Sequence, residues 1–89
     1  MSNYVVYLLE CSDGTYYCGI TNHLSKRIAA HNKGTGAKYT RGRGPVKIQG
    51  WSAPMTKGEA LTLEYKVKKK PKQKKLATIL FSWQSYEDA

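Results

Sequence analysis

Residues Tyr4–Glu10 read Tyr-Val-Val-Tyr-Leu-Leu-Glu, apolar at odd and even positions alike. A strand that is apolar on both alternating faces has to be covered on both. The fold must therefore place material above and below whatever sheet this segment joins. The chain has 89 residues, which corresponds to one domain over residues 1–89, since domains of ~100–200 residues are the norm. A chain this short buries about 60–65% of its unfolded surface, enough for one small core.

Ser12-Asp13-Gly14 is a turn signal, and Thr15–Thr21 (Thr-Tyr-Tyr-Cys-Gly-Ile-Thr) reads as a second strand. A three-residue loop with Gly14 in the left-handed region closes Cys11 against Thr15. Tyr7 then opposes Gly19 and Leu9 opposes Tyr17, which puts Tyr7 and Tyr17 on one face; a two-residue loop would separate them. Cys11 and Cys18 are not partners in this register, so no disulfide is expected.

Thr21 or Asn22 is a plausible cap for a helix running to about Lys33, with Gly34 as its stop. Leu24 and Ile28 face the core, and Arg27 and His31 border that stripe four residues apart. Gly34–Gly44 reads as a loop with four glycines, three basic residues and Tyr39. Pro45 opens a third strand, Val46–Trp51. Thr56-Lys-Gly-Glu59 fits a capping box for a helix reaching Lys70 at most, because Pro71 disfavours helix at the residue before it. A last helix starts at Pro71 with Leu76, Ile79, Leu80 and Trp83 as its apolar stripe, and Ser85–Ala89 is expected to fray.

The balance of 15 Lys+Arg against 6 Asp+Glu, net +9, favours a polyanionic partner: nucleic acid first, an acidic membrane or acidic protein second. No apolar run approaches the ~18 residues of a membrane span. Met1–Glu10 lacks the pattern of a secretory signal. Two cysteines make neither a disulfide scaffold nor a zinc site. A reduced, soluble, cytoplasmic protein is expected.

Glu64 is the most informative residue. Ala60, Leu63 and Val67 define the apolar stripe of its helix, and Glu64 lies in the middle of it. A carboxylate turned into a core costs several kcal/mol unless it is paired or binds a metal. The bland reading is a buried salt bridge, with Arg27 as a candidate partner. The functional one is a ligand for Mg²⁺, which takes one or two carboxylates plus water and substrate phosphate. Arg27 offers paired donors matched to phosphate, and His31 can pass protons or orient water. Tyr7 and Tyr17 are ordinary strand residues taken singly; on one face beside Gly19, which leaves room for a ligand, they suggest a site. In the loop, Lys38, Arg41 and Arg43 supply charge and Tyr39 a surface for base stacking, against the plain alternative of a mobile loop. Seven of the ten residues Lys66–Lys75, Lys68, Lys69 and Lys70 among them, are lysine. Such runs are mostly solvated faces, but this one also favours salt-sensitive contact with a phosphate backbone.

Taken in order, these residues resemble the GIY-YIG endonuclease family, and most closely its small stand-alone bacterial members. The first signature tripeptide is Val5-Val6-Tyr7 and the second Tyr17-Cys18-Gly19. Arg27 and His31 follow in Lys-Arg-Ile-Ala-Ala-His-Asn, then Glu64 on the later helix. Gly34–Pro45 looks like the loop of that subgroup and of related structure-selective nucleases. The resemblance covers nearly the whole chain. Val5, Val6 and Cys18 depart from the signature at backbone and packing positions. A late polar residue of the family, often Asn, has only Gln84 as a candidate match.

The resemblance implies an α/β fold of α+β type: a ββαβα core with a three-stranded antiparallel sheet flanked by helices, plus an extra C-terminal helix. It implies Mg²⁺-dependent (or Mn²⁺-dependent) hydrolysis of DNA phosphodiesters, structure-selective and serving DNA repair or processing, on branched, nicked or duplex DNA. Glu64 would hold the metal, and Arg27 would bind the scissile phosphate. Tyr7 and Tyr17 would lie at the nucleophile, one as general base or water-positioner, with His31 assisting. Little room remains for a specificity domain, so selectivity is expected from DNA structure or from a partner, a second protein or a homodimer. A competing reading is a nucleic-acid-binding module with weak or no activity. A third, a basic ribosome-associated or protein-binding domain, requires that Tyr7, Tyr17, Arg27 and Glu64 fail to converge.

Overall fold

The computed structural model describes residues 2–81. Its elements run β1 (Val5–Glu10), β2 (Tyr16–Thr21), α1 (Leu24–Lys33), β3 (Lys47–Trp51), α2 (Lys57–Lys68) and α3 (Lys72–Leu80). The three strands form one antiparallel sheet in the order β2-β1-β3. The doubly apolar strand is thus the central one. Val6 and Leu8 point into one core layer with Cys18, Ala60, Val67 and Ile79, under α2 and α3. Tyr7 and Leu9 point into the other with Cys11 and Val46, against which Tyr17, Leu24 and Ile28 of β2 and α1 pack. Two thin layers, one on each side of a single strand, are what a chain of this length can fill.

The hairpin has the expected three-residue loop. The Cys11 N–H donates to the Thr15 carbonyl at 2.8 Å, and Gly14 sits at φ +83°. Tyr7 opposes Gly19 and Leu9 opposes Tyr17. Both cysteines are free and buried, in opposite layers. An irregularity between Leu8 and Leu9 shifts the β1–β3 register.

Helix ends follow local chemistry. Gly34 closes α1 at φ +81°, its N–H donating to the carbonyls of Ala30 and His31. The start of α1 differs from expectation: the cap is His23, because the Thr21 hydroxyl is used one step earlier, accepting from the His23 N–H at 3.0 Å. The Thr56/Glu59 capping box is complete, with bonds of 2.9 and 3.2 Å. At the far end of α2 the Lys75 ammonium donates to the Val67 and Lys68 carbonyls, both at 3.1 Å; Val67 also accepts the Lys70 N–H at 3.0 Å. Pro71 caps α3, whose Ile79 is buried and Leu76 half-buried. Trp83, Gln84 and the tail from Ser85 lie outside the described residues. Among the described residues no helix is long and apolar enough to cross a membrane.

Candidate active site

The site is built from β1, β2, α1 and the loop after α1. Tyr7 of β1 and Tyr17 of β2 share a face, as the register requires, with ring centroids 6.3 Å apart. α1 crosses that face and lays His31 against both rings, at 5.9 and 5.2 Å. Tyr7 is fully buried and His31 is 1% exposed, so each must satisfy its polar atoms internally. The Tyr7 hydroxyl and His31 Nε2 lie 2.9 Å apart, and His31 Nδ1 and the Thr40 hydroxyl 2.7 Å apart. The Thr40 hydroxyl gives its one hydrogen to the Ala37 carbonyl at 2.9 Å.

That last bond orders the rest. With that hydrogen on the Ala37 carbonyl, Thr40 accepts from His31, the arrangement in which Nδ1 carries the imidazole proton and Nε2 accepts from the Tyr7 hydroxyl. The Tyr7 oxygen then keeps its lone pairs on the side of the Arg27 guanidinium, whose charge acts on both phenols. The chain of hydrogen bonds runs from Tyr7 to His31 to Thr40 to the Ala37 carbonyl, with the Arg27 charge beside its Tyr7 end.

Burial pushes the Tyr7 phenol up to about 12, against the opposing pull of Arg27. Burial, and next the charge of Arg27, hold His31 below its ordinary value, which keeps it neutral at neutral pH. Tyr7 is therefore held inside the protein with its phenol against His31 Nε2. Only Tyr17 and Arg27, both half-buried, reach the surface from this cluster. Replacing Tyr7 with Phe leaves His31 Nε2 buried without a donor. The expected loss is ~1–3 kcal/mol of unfolding free energy, read from the midpoint of a urea transition at unchanged slope.

Gly19 does not leave room for a ligand as the sequence suggested. A Cβ there would stand 2.6 Å from the Tyr7 hydroxyl oxygen and 3.0 Å from Tyr17 Cε2. The space it opens is filled by the two phenols. Gly36 plays the same part for His31, where a Cβ would fall 2.6 Å from Nδ1 and 2.9 Å from Cα.

The glycine-rich loop is tied down at several points. Lys38–Thr40 forms a 3-10 turn. Asn32 Oδ1 accepts from the Val46 N–H at 2.7 Å, and the Arg43 carbonyl accepts from the Ser12 N–H at 2.7 Å. The Tyr39 ring stacks on Tyr17 at 5.8 Å, and the Arg43 guanidinium lies 4.4 Å from its centroid. Arg43 also pairs with Asp13 at 2.7 Å. Tyr39 and Arg43, expected to meet a base and a phosphate, are thus braced by contacts within the fold while still partly exposed, and Lys38 and Arg41 stay exposed. The Asp13 carboxyl is held low first by its bonds to Thr15 and then by Arg43.

Glu64 stands apart from this cluster. It is 18% exposed and pairs with Lys68 at 3.2 Å on its own helix. Burial drives the Cys18 thiol up to about 12, and the nearby Glu64 charge adds to that rise. α2 packs on the Cys18 face of the sheet, whereas Tyr7 and Tyr17 occupy the α1 face. Among the described residues no hydrogen bond or ion pair joins Glu64 to Tyr7, Tyr17, Arg27 or His31. The structure thus brings Tyr7, Tyr17 and His31 into direct contact and joins Glu64 to Lys68 instead. The Glu64 charge acts on Cys18 and that of Arg27 on Tyr17, consecutive residues of the edge strand β2.

Among the described residues no group of three or more His, Cys, Asp or Glu side chains forms a ready-made metal cage. A half-buried carboxylate whose counter-ion is a flexible, 54% exposed lysine fits an ion held mainly by water and substrate oxygens. That is the habit of Mg²⁺ and Mn²⁺ at phosphate esters. Lys69 stacks on Tyr65 at 4.2 Å, and Lys70 is exposed; with Lys68 they sit at the α2 terminus, on the Glu64 side of the sheet.

The profile of the GIY-YIG catalytic domain matches residues 3–77. The chain belongs to the GIY-YIG family. It is 53% identical over 77 residues to a UPF0213 protein of Clostridium perfringens, covering 86% of this chain and 82% of that one. It is 49% identical over 72 residues to a UPF0213 protein of Halobacterium salinarum, covering 81% and 94%. The solution NMR structure of a UPF0213 protein from Bacillus halodurans matches at 47% identity with a TM-score of 0.50, over 81% of this chain and 77% of that one. The three-stranded sheet with helices on both faces is thus the GIY-YIG fold, and the family is a nuclease superfamily.

Thr40, Gly36 and Asp13 are the site residues that sequence reasoning missed. Asp13 was legible only as a turn residue. Nothing in Lys-Tyr-Thr-Arg marks Thr40 as the one buried position among exposed neighbours.

Proposed function

We propose that this protein is a divalent-metal-dependent endonuclease that hydrolyses DNA phosphodiesters, selecting its substrate by structure and acting in DNA repair or processing. The observation that carries the reading is the Arg27 guanidinium held at the surface by two phenols, one of them locked to a neutral histidine. Such an arrangement costs effort to fold and serves no evident structural purpose. It presents fixed, charged donors to a phosphate, where preorganisation is worth most. Arg27 binds a non-bridging oxygen and neutralises the charge that develops on it. Tyr17, beside it and open to solvent, orients the attacking water. Tyr7 and His31 fix Arg27 from within and do not touch substrate. Glu64 would hold an Mg²⁺ or Mn²⁺ ion, which supplies Lewis-acid polarisation of the phosphate and stabilises the leaving oxygen. A backbone passing over the β2 edge would meet both groups.

The position of Glu64 also favours the weaker reading, a binding module with little activity, because the acid is paired with Lys68 and lies across the strand. One panel separates the two. Labelled duplex, flap, nicked, branched and single-stranded DNA are incubated with Mg²⁺, with Mn²⁺ and with chelator. Cleavage that is lost in chelator and falls ~10²–10³-fold in Arg27→Ala is the expected result. Binding without cleavage in every condition overturns the nuclease reading and leaves the module.

A further inference from the structure

We propose that Thr40 is a positioning residue of the site, which sets the tautomer of His31 and thereby ties the seating of the loop after α1 to the orientation of Arg27. The idea rests on the catalytic reading only for its consequence in cleavage; its structural core stands by itself.

Thr40 is 1% exposed between Tyr39 and Arg41, both of which face solvent. Its hydroxyl makes two bonds, accepting from His31 Nδ1 at 2.7 Å and donating to the Ala37 carbonyl at 2.9 Å. A hydroxyl has one hydrogen, and the Ala37 carbonyl can only accept, so if both bonds are made together their directions follow: Thr40 donates to Ala37 and accepts from Nδ1. With Nδ1 protonated, Nε2 must accept, and the Tyr7 hydroxyl must point at it over 2.9 Å. The phenol's lone pairs then lie on the side of the Arg27 charge, which pulls against the rise that burial gives it. If the opposite tautomer were present, Nε2 would donate to Tyr7. The Tyr7 hydrogen would then turn toward the guanidinium, and Arg27 would be left with the Tyr17 oxygen alone as acceptor. Which way Arg27 is held is therefore decided by a residue of the loop.

The loop cannot shift without the imidazole noticing. Gly36 backs directly onto His31, where even a methyl group would fall 2.6 Å from Nδ1. The neighbours of Thr40 in the same turn, Lys38 and Arg41, are exposed cations. A phosphate drawn to them acts on the turn that carries Thr40. Substrate contact at the loop and order at Arg27 thus share one set of bonds.

The test reads the imidazole itself. The chain has two histidines, and His23 is exposed, so ¹⁵N-labelled protein gives one buried and one solvent-averaged imidazole by NMR at neutral pH. The expected result is a single His31 tautomer with Nδ1 protonated and Nε2 unprotonated. Thr40→Val keeps the volume and removes the hydroxyl; His31 should then change to the other tautomer or to a mixture. Thr40→Ser should restore the wild-type pattern. A wild-type His31 found protonated at Nε2 overturns the proposal before any variant is made. A folded Thr40→Val protein with an unchanged tautomer overturns it too. Should Thr40→Val not fold, Thr40→Ser with a wild-type tautomer supports the proposal and with an altered one overturns it. Where the wild type cleaves DNA, Thr40→Val should lower kcat by ~10-fold or more with little change in DNA affinity. Failure of cleavage in the wild type would count against the catalytic reading alone, since the tautomer measurement does not depend on it.

Discussion

Glu64→Ala is expected to reduce metal-dependent DNA cleavage by ~10³-fold or more, since an ion's Lewis-acid contribution amounts to several kcal/mol of barrier. The protein should nonetheless fold and bind DNA as before. The carboxylate's recorded partner is Lys68, an i,i+4 neighbour that is more than half exposed, and such pairs contribute about 0–1 kcal/mol. Removing a negative charge from a chain of net +9 should if anything tighten contact with phosphate. Two measurements decide the role: single-turnover cleavage at saturating Mg²⁺, and equilibrium binding in chelator. A variant that loses binding together with activity while still folded would remove the metal role. A variant that cleaves normally would show that this acid takes no part, and the Arg27 cluster would have to be explained without it.

Much of the architecture was legible because it follows from short-range rules. The double apolar face of β1, the Gly14 loop, the Gly34 stop and the Thr56/Glu59 box each act over a few residues, and each is present. The register followed from the loop alone, and with it the pairing of Tyr7 with Gly19. What could not be read was the direction of side chains in the third dimension. Periodicity showed that Glu64 lies on an apolar stripe of α2. It could not show which face of the sheet that stripe would cover. α1 and α2 take opposite faces, so two residues that both look inward are looking inward from opposite sides. The same limit hid Thr40, whose burial is created by a 3-10 turn that no pattern announces. It also misled the reading of Gly19, where a missing Cβ admits neighbours from the protein's own core rather than a ligand.

The largest expected effect on stability is at that glycine. Its backbone is ordinary strand, so alanine there should gain ~0.5–1 kcal/mol of backbone entropy. Opposing this, the new Cβ would stand 2.6 Å from the Tyr7 hydroxyl oxygen and 2.8 Å from Cζ. Tyr7 cannot yield cheaply, being fully buried and bonded to His31 at 2.9 Å. Overpacking costs ~1–3 kcal/mol and a broken buried hydrogen bond a further ~1–3 kcal/mol. Gly19→Ala should therefore lose about 1–5 kcal/mol in all, a Tm drop of ~4 °C or more in a domain of this size. Gly50 provides the control. A Cβ there also meets an atom at 2.6 Å, but the atom is the end of Leu76, half-buried on α3 and free to change rotamer. Gly50→Ala should then stay within ~1 kcal/mol of wild type. In a Tyr7→Phe background the nearest clashing atom and the hydrogen bond are both gone already, so Gly19→Ala should cost visibly less than it does alone, a coupling of ~1 kcal/mol or more. Equal costs in the two backgrounds would mean that the phenol yields freely, and with it the claim that Tyr7 is the fixed point from which Arg27 is aimed.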